Sequence, residues 1–374
     1  MNRITELTRK VSELKEAISK QEALVSMFDA SQKAIKIVNN GGYGALGNPN
    51  FRYFRTAISD AITVTGQYVI RFIAERLNWY MNDVLKTKGV DYVIGSDTDS
   101  VMLTLAAFVD KIDPEGKVPT SKMVDVVNQF CEKGIEKFLE EEYAKLAESV
   151  NAIENTLDMK REAICDVGLF RAKKNYAMRV WDMEHVRYAE PQMKIAGLES
   201  QRTDKPIPCR EMMRDLIPVF FDGTEAELQK KVAAFKELFL KLPIDKIAFP
   251  KGVSDVEKWT GHDGNVDPLQ KSAPIHSRAA VVYNYLLKNR PELSGVHPVI
   301  KNKSKIKFVY LKPQNPVGSH VVGFLSELPE EFGLRKHIDL ETQFEKAFLN
   351  PIQSLATLVG WSAEKRAKLD DLFE

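Results

Sequence analysis

The chain has 374 residues, which is enough for two or three domains with cores of their own. Hydrophobic residues make up 44% and charged residues 28%, and the net charge of +1 excludes a protein that binds nucleic acid through overall basic charge. The scattered cysteines fit a reducing cytosol and no zinc site, and neither a signal peptide nor a long apolar run indicates a membrane.

The first segment carries a narrow apolar stripe. Its members follow one another at spacings of three and four, interrupted at Gln21, and the positions between them are mostly charged. This pattern predicts an amphipathic helix over residues 4–28 with a coiled-coil-like seam. Such a seam packs on its own chain or on another polypeptide. The stripe consists of Ile4, Leu7, Val11, Leu14, Ile18, Val25 and Phe28.

A polar triad follows on the same predicted helix. Lys36, Asn40 and Tyr43 are spaced i, i+4, i+7, so a helix presents all three on one face. A cation and an amide side by side suit a polyphosphate, and a ring one turn further suits a base. The helix should stop near residues 47–49. Gly41 and Gly42 mark either a bend or close packing, or they clear room beside the ligand.

Two carboxylates lie in a predicted turn downstream. Residues 56–86 have the apolar periodicity of a helix that packs under a sheet, and Gly89 ends it. Short apolar runs at 92–94 and 101–103 predict a hairpin with Asp97 and Asp99 between its strands. Carboxylates fixed in this way suit magnesium and phosphoryl transfer.

These two segments resemble a known family. Lys36-x3-Asn40-x2-Tyr43-Gly44 resembles motif B of family B DNA polymerases, and Asp97-Thr98-Asp99-Ser100 resembles their motif C. The spacing and the surrounding residues look most like the replicative polymerases of large tailed phages. The resemblance continues through residues 180–184 and 187–191 to the end of the chain.

The resemblance implies template-directed addition of dNTPs to a DNA primer. Asp99 would bind a metal, and Asp97 would bind it directly or through water. Two Mg²⁺ ions about 4 Å apart would activate the primer 3′-OH and stabilise the leaving pyrophosphate. Lys36 and Asn40 would hold the dNTP triphosphate, and Tyr43 would pack against the nascent base pair.

Further site residues follow from the same resemblance. Lys173, Lys174 and Tyr176, in a hairpin that starts near Leu169, match residues that grip the primer strand. The alternative is a basic edge strand that guards against aggregation. Glu162 matches an acidic residue near the metals. Residues 122–149 predict a helix with a solvated acidic face.

The last third is expected to be a mostly helical thumb. Lys205-Pro206-Ile207-Pro208 predicts a domain boundary, and residues 209–242 predict helices. Arg278 lies in a segment that resembles part of the thumb. Four lysines alternate and would line one face of a strand, either along a DNA backbone or as a charged edge: Lys301, Lys303, Lys305 and Lys307.

Several parts of such a polymerase are not found in the sequence. They are the first fingers helix, motif A with its catalytic aspartate, and the exonuclease. The chain is therefore either a fragment or the second half of a split polymerase, and Met1 before a well-patterned helix favours the split. We expect a heterodimer with an N-terminal polymerase chain that completes the metal ligands.

The C-terminal tail ends in apolar residues, where chains are usually polar. Leu369, Leu372 and Phe373 would form a small anchor beside two aspartates. In the resembled polymerases a similar tail binds the sliding clamp. The alternative is that the terminus docks on the thumb.

The predicted fold class is α/β (α+β). It comprises half of a fingers hairpin at 1–47, a palm with an antiparallel sheet at 48–205 and a thumb at 206–374. One rival interpretation is a non-catalytic DNA-binding or scaffold subunit. Another is a different palm enzyme, such as a reverse transcriptase or a nucleotidyl cyclase.

Overall fold

The structure, a computed structural model, describes residues 2–266, 272–293 and 295–365. It consists of two compact units, one formed by residues 1–111 and 138–159 and the other by 112–137 and 160–374. Helices and small antiparallel sheets make up both units, which confirms the predicted fold class. No helix in these ranges is both long and apolar enough for a membrane span.

The first unit is built on two long helices and a hairpin. The strands β1 and β2 pair antiparallel, with Asp97 opposite Ser100. On α2, Ile73, Leu77 and Met81 are buried at helical spacing, and the rings of Trp79 and Tyr80 stack on Phe138 of α5. The elements are α1 (Asn2–Leu46), α2 (Thr56–Leu85), β1 (Val93–Asp97), β2 (Ser100–Leu103), α3 (Ala106–Ile112) and α5 (Glu136–Ser149), the last two crossing the division between units.

The second unit contains two three-stranded antiparallel sheets, ordered β3-β4-β5 and β6-β7-β8. A π-helical turn at Cys131–Ile135 joins α4 to α5, and another at Glu345–Leu349 joins α10 to α11. The elements are α4 (Thr120–Phe130), β3 (Ala163–Ala172), β4 (Asn175–Met183), β5 (Val186–Ala196), α6 (Ile207–Asp222), α7 (Glu225–Phe239), α8 (Ile244–Ile247), β6 (Phe249–Gly252), α9 (Ile275–Lys288), β7 (Lys305–Tyr310), β8 (Val321–Phe324), α10 (Leu340–Phe344) and α11 (Asn350–Ala356).

The core of this unit forms where helices cover the sheet β6-β7-β8. Strand β8 lies directly on α9, and a side chain at Gly323 would approach the backbone oxygen of Ala279 to 3.0 Å. Aromatic rings of α7, α10 and the following turn pack together, with Phe235 and Phe348 centroids 4.5 Å apart. The predicted boundary at residue 205 falls inside this unit, so the division into palm and thumb stays a prediction.

Two predictions about helical faces were wrong in part. The stripe of α2 packs only in its C-terminal half, and Ile58 and Ile62 are 43% and 47% exposed. A two-stranded hairpin is too narrow to cover a 30-residue helix, which is about 45 Å long. The acidic helix at 122–149 is not solvated throughout, because Glu142 is buried against Arg76.

Candidate active site

Asp97 and Asp99 lie at the tip of the β1-β2 hairpin, as predicted. Asp97 ends β1, and Thr98 and Asp99 form a two-residue turn before Ser100. The carbonyl oxygen of Asp97 accepts hydrogen bonds from the Asp99 N–H at 2.7 Å and the Ser100 hydroxyl at 3.1 Å. Thr98 Oγ1 donates to the Asp97 carboxylate at 3.1 Å. The backbone therefore fixes both carboxylates on one short turn.

This turn contains an unusual backbone conformation. Thr98 has a φ of +58°, which is rare for a β-branched residue and costs on the order of 1–3 kcal/mol. The strained turn brings Asp99 to the exposed tip, and its carboxylate has no hydrogen-bond partner among the described residues. An exposed carboxylate without a partner remains available to a cation.

The donor set at the tip fits part of a magnesium site. Mg²⁺ prefers hard oxygen ligands, often one or two carboxylates with the remaining positions filled by water and phosphate. Asp97 and Asp99 supply such oxygens. Within the described ranges, no three acidic, histidine or cysteine side chains come together to hold a metal. The two aspartates alone would thus be an incomplete ligand set.

The polar triad lies on α1. This helix continues without a break from Asn2 to Leu46, so Lys36, Asn40 and Tyr43 share a face as predicted. All three side chains are exposed. Gly41 and Gly42 remain helical, and no described atom lies within 4 Å of the position that a Cβ would occupy on either. Close packing within the described chain therefore does not explain these two glycines.

The predicted primer-binding residues lie at a tight turn in the second unit. Lys173 and Lys174 join β3 to β4, and Lys174 has a φ of +58°. Tyr176 follows on β4, with its ring 5.5 Å from that of Phe170. At the end of β5, Gly197 lies so close that a Cβ there would be 2.0 Å from the Lys174 carbonyl oxygen. The end of β5 thus packs directly against the turn between β3 and β4.

Glu162 lies just before β3 in the second unit. Its carboxylate forms an ion pair with Lys194 of β5 at 2.8 Å and is about half exposed. Its backbone oxygen accepts a hydrogen bond from the Glu184 N–H. A role near the metals stays a prediction.

The predicted alternation of four lysines on one strand was wrong for the first two. Lys301 and Lys303 precede β7 in a turn, in which the Ser304 N–H donates to Lys301 O at 3.1 Å. Lys303 has a φ of +68°, and its N–H donates to Val253 O. Only Lys305 and Lys307 lie on the strand, on the same face. Side chains alternate between two faces only along an extended strand, so the turn at Lys303 interrupts the predicted alternation.

Arg278 lies in the first turn of α9, close to residues that the sequence did not connect with it. Burial lowers the pKa of His320, and the positive charge of Arg278 lowers it further. Burial and Lys251 of β6 lower the pKa of His276 in the same way. In the sequence the histidines look dispersed. No local pattern shows that Lys251 lies near His276 or that Arg278 lies near His320. The tail residues Leu369, Leu372 and Phe373 lie outside the described residues.

Sequence reasoning also missed two asparagines of α2, Asn78 and Asn82. They are polar residues one turn apart on the helix that precedes the β1-β2 hairpin. Their side chains bind the segment that leads into β1. The available signal was the Asn-x3-Asn spacing itself, which places two amides on one helix face.

Comparison with known proteins decides the family. The profile of DNA polymerase family B matches residues 4–143, which include both the α1 triad and the hairpin aspartates. The DNA-directed DNA polymerase of Enterobacteria phage T4 is 31% identical over 385 aligned residues, covering 100% of this chain and 42% of that protein. The chain belongs to DNA polymerase family B. The resemblance to phage polymerases is confirmed.

Two other DNA polymerases match over similar lengths. The DNA-directed DNA polymerase of Escherichia phage RB69 is 28% identical, covering 91% of this chain and 38% of that protein. The DNA polymerase of Pyrococcus glycovorans is 24% identical over 95% of this chain and 37% of its own length. This family B chain therefore spans about two fifths of the length of these three relatives.

Proposed function

We propose that this chain is the part of a DNA-directed DNA polymerase that supplies motif C, one face of the dNTP site and the primer-binding hairpin. The observation that carries the proposal is the hairpin tip, where Asp97 and an exposed Asp99 occupy one strained turn in a family B chain. Strained backbone concentrates at functional sites, where the surrounding structure maintains it.

Asp99 is the residue to which we assign metal binding, with Asp97 binding directly or through water. Bound magnesium would supply charge for activation of the primer 3′-OH and for the leaving pyrophosphate. Lys36 and Asn40 would bind the triphosphate, and Tyr43 would pack against the nascent base pair. Lys173, Lys174 and Tyr176 would hold the primer strand, and Arg278, Lys301, Lys303 and Lys305 would contact DNA phosphates.

The proposal includes a partner chain. Two aspartates in one turn provide an incomplete ligand set, so synthesis needs further carboxylates from motif A. We propose that a second polypeptide carries motif A and the other fingers helix, and forms a one-to-one heterodimer with this chain. Further partners would be primer-template DNA, dNTPs and a sliding clamp.

A primer-extension assay tests this function. The isolated chain should bind primer-template weakly and leave it unextended, whereas addition of the completing chain should restore synthesis. Asp99→Ala should then abolish extension by the mixture without changing assembly, because the metal loses its ligand. Robust extension by the purified chain alone would contradict the need for a partner. Assembly on DNA without any synthesis would favour a scaffold subunit instead.

A further inference from the structure

Two asparagine side chains of α2 hold the segment that enters the catalytic hairpin. Asn78 Oδ1 accepts hydrogen bonds from two consecutive backbone N–H groups, those of Tyr92 at 2.7 Å and Val93 at 3.0 Å. Its Nδ2 donates to Asp91 Oδ1 at 2.6 Å. A single amide therefore grips three consecutive residues at the base of β1.

Asn82, one turn further along α2, uses its whole amide. Its Nδ2 donates to Val90 O at 2.7 Å and to Asn78 O at 2.8 Å. Its Oδ1 accepts from the Val90 N–H at 3.1 Å and from the Thr87 hydroxyl at 3.0 Å. An asparagine amide has two donor hydrogens and two acceptor lone pairs, so this side chain is saturated. An ionised carboxylate has no donor and an ammonium group has no acceptor, so neither can make all four hydrogen bonds.

These contacts reach both strands of the hairpin. Val93 is the first residue of β1 and pairs with Leu103 of β2. The Thr104 N–H, just past the end of β2, donates to Tyr92 O at 2.8 Å. The open end of the hairpin is thus attached to α2, whereas its tip carries Asp97 and Asp99.

The distance from base to tip makes this attachment sensitive. Asp97 is four residues beyond Val93, or about 13 Å along a strand. A tilt of about 10° at the base would move the tip by about 2 Å over that length. Ligand groups must be held within about 0.5 Å of their working positions. Small changes at the base therefore matter at the aspartates.

We propose that Asn78 and Asn82 are positioning residues that set the place of the motif C aspartates by fixing the hairpin base on α2. The effect on synthesis rests on the proposed function, whereas the attachment itself rests on the geometry of this unit. The two amides act through the segment at residues 90–93, and none of the hydrogen bonds described above joins them to Asp97 or Asp99.

An exchange of amide and acid tests the attachment on the purified chain. Asn78→Asp places a carboxylate against Asp91 and removes the donor, and the double variant Asn78→Asp with Asp91→Asn restores a donor and an acceptor with the same shapes. Gln67→Glu makes the same chemical change at an exposed site of α2. Hydrogen exchange would be measured by mass spectrometry on peptides that cover residues 92–103.

We expect Asn78→Asp to speed exchange in residues 92–103 at least fivefold. The double variant should return to within twofold of the original chain, and Gln67→Glu should not differ from it. Unchanged exchange at 92–103 in Asn78→Asp would overturn the proposal. Equal acceleration in peptides of α2 and α5 would also overturn it, because it would indicate a general loss of stability.

The same variants in the complete polymerase test the functional consequence. We expect Asn78→Asp to raise the Mg²⁺ concentration for half-maximal extension at least threefold, with the KM for dNTP changed less than twofold. The double variant should recover. An unchanged Mg²⁺ requirement would overturn the positioning role. Synthesis that survives Asp99→Ala would contradict the proposed function of the hairpin but not its attachment to α2.

Discussion

At the scale of single residues, one buried carboxylate fastens α2 to α5 in the first unit. Glu142 has a side chain only 3% exposed, and it accepts hydrogen bonds from Arg76 and from Lys145, the latter at 2.8 Å. The Arg76 hydrogen bond is the largest cause of a lowered Glu142 pKa, and it outweighs burial. The charged carboxylate is therefore favoured in the folded chain.

Removal of Arg76 should destabilise the unit measurably. Arg76→Met keeps the aliphatic stem but leaves Glu142 buried with Lys145 alone. We expect the free energy of unfolding at pH 7 to fall by about 2 kcal/mol, less than is typical for a broken buried pair, because Lys145 remains and Arg76 is partly exposed. Chemical denaturation of the two proteins measures the difference.

The pH dependence of that difference follows from the lowered pKa. The folded pKa of Glu142 lies below the ordinary value of 4.5, so the stabilisation is complete above pH 4.5 and is lost as the pH falls below it. The matched control is Lys33→Met, which removes an exposed pair with Asp29 and should change stability by less than about 0.5 kcal/mol. Equal losses in the two variants would show that the buried pair has no special effect.

The residue scale also shows what the sequence can and cannot reveal. The position of Asp97 and Asp99 in a turn followed from apolar runs on both sides, which is local information. The burial of Glu142 depends on Arg76, which is 66 residues away, and an acidic helix face looks solvated without that partner. The Asn-x3-Asn spacing placed Asn78 and Asn82 on one helix face, but it did not identify the backbone groups that they bind, because asparagine is usually an exposed residue.

At the scale of elements, the predicted stripe of α1 is solvent-exposed along its whole length. Ile4, Leu14 and Phe28 are 74%, 61% and 65% exposed in the described chain. A helix of 45 residues with an uncovered apolar seam is typical of an element that packs on a partner. At 3.6 residues per turn, Lys36 and Tyr43 continue the line of this seam. A helix packed on the seam would therefore lie beside the triad.

The seam can be tested by charge. Replacement of Leu7, Val11 and Leu14 by aspartate should weaken the proposed heterodimer at least tenfold, because it puts charge in an apolar contact. Replacement of Thr5, Ser12 and Ala23 by aspartate adds the same charge on the other side of the helix. Sedimentation velocity measures both. If the two triple variants associate equally well, the helix does not form the interface, and other contacts hold the chains together.

Gly197 permits a second test at this scale, in the hairpin that we propose to bind the primer. It has a φ of +62°, and a Cβ there would collide with the carbonyl oxygen of Lys174. Gly197→Ala should therefore displace the turn with Lys173 and Lys174 and weaken primer-template binding severalfold. Fluorescence anisotropy with labelled DNA measures the affinity.

The chain offers a matched control for this change. Gly116 has the same φ of +62°, but no described atom beyond its chain neighbours lies within 4 Å of its Cβ position. Gly116→Ala should lower the free energy of unfolding by about 1–2 kcal/mol, because alanine is strained in the left-handed region, and it should leave the affinity for DNA unchanged. If the two variants bind DNA alike, contact with the hairpin turn is not what requires glycine at 197.

The elements themselves were largely predictable, and their ends and pairings were less so. Apolar periodicity located α1, α2 and the β1-β2 hairpin. The alternation of lysines wrongly placed Lys301 and Lys303 on a strand, because residues can alternate in sequence with a period of two even where the backbone turns. The contacts of β7 and β8 with α9 join segments far apart in sequence, so no local pattern contained them.

At the scale of the whole molecule, the end of the described chain is firmly attached to the second unit. The N–H of Ser362 donates to the Glu225 carboxylate at 2.7 Å, and the N–H of Ala363 donates to Gln353 Oε1 at 2.9 Å. The ring of Trp361 stacks on Phe220, with centroids 6.0 Å apart. These contacts hold residues 361–363 in place.

This attachment separates the two interpretations of the apolar tail. Deletion of residues 369–374 leaves the contacts of Trp361, Ser362 and Ala363 intact, so we expect no change in the melting temperature. Deletion from residue 361 onward removes those contacts and should lower it by several degrees. If the shorter deletion also destabilises the chain, the tail docks on the second unit.

The same shorter deletion tests the proposed clamp anchor in the complete polymerase. Synthesis of short products without a clamp should be unaffected, because no residue of the proposed dNTP and primer sites is removed. The long products that appear on addition of the clamp should be lost, since Leu369, Leu372 and Phe373 would no longer fill an apolar pocket. Replacement of Asp370 and Asp371 by asparagine keeps those apolar groups and should retain most of the stimulation. A deletion variant that responds fully to the clamp would contradict the anchor.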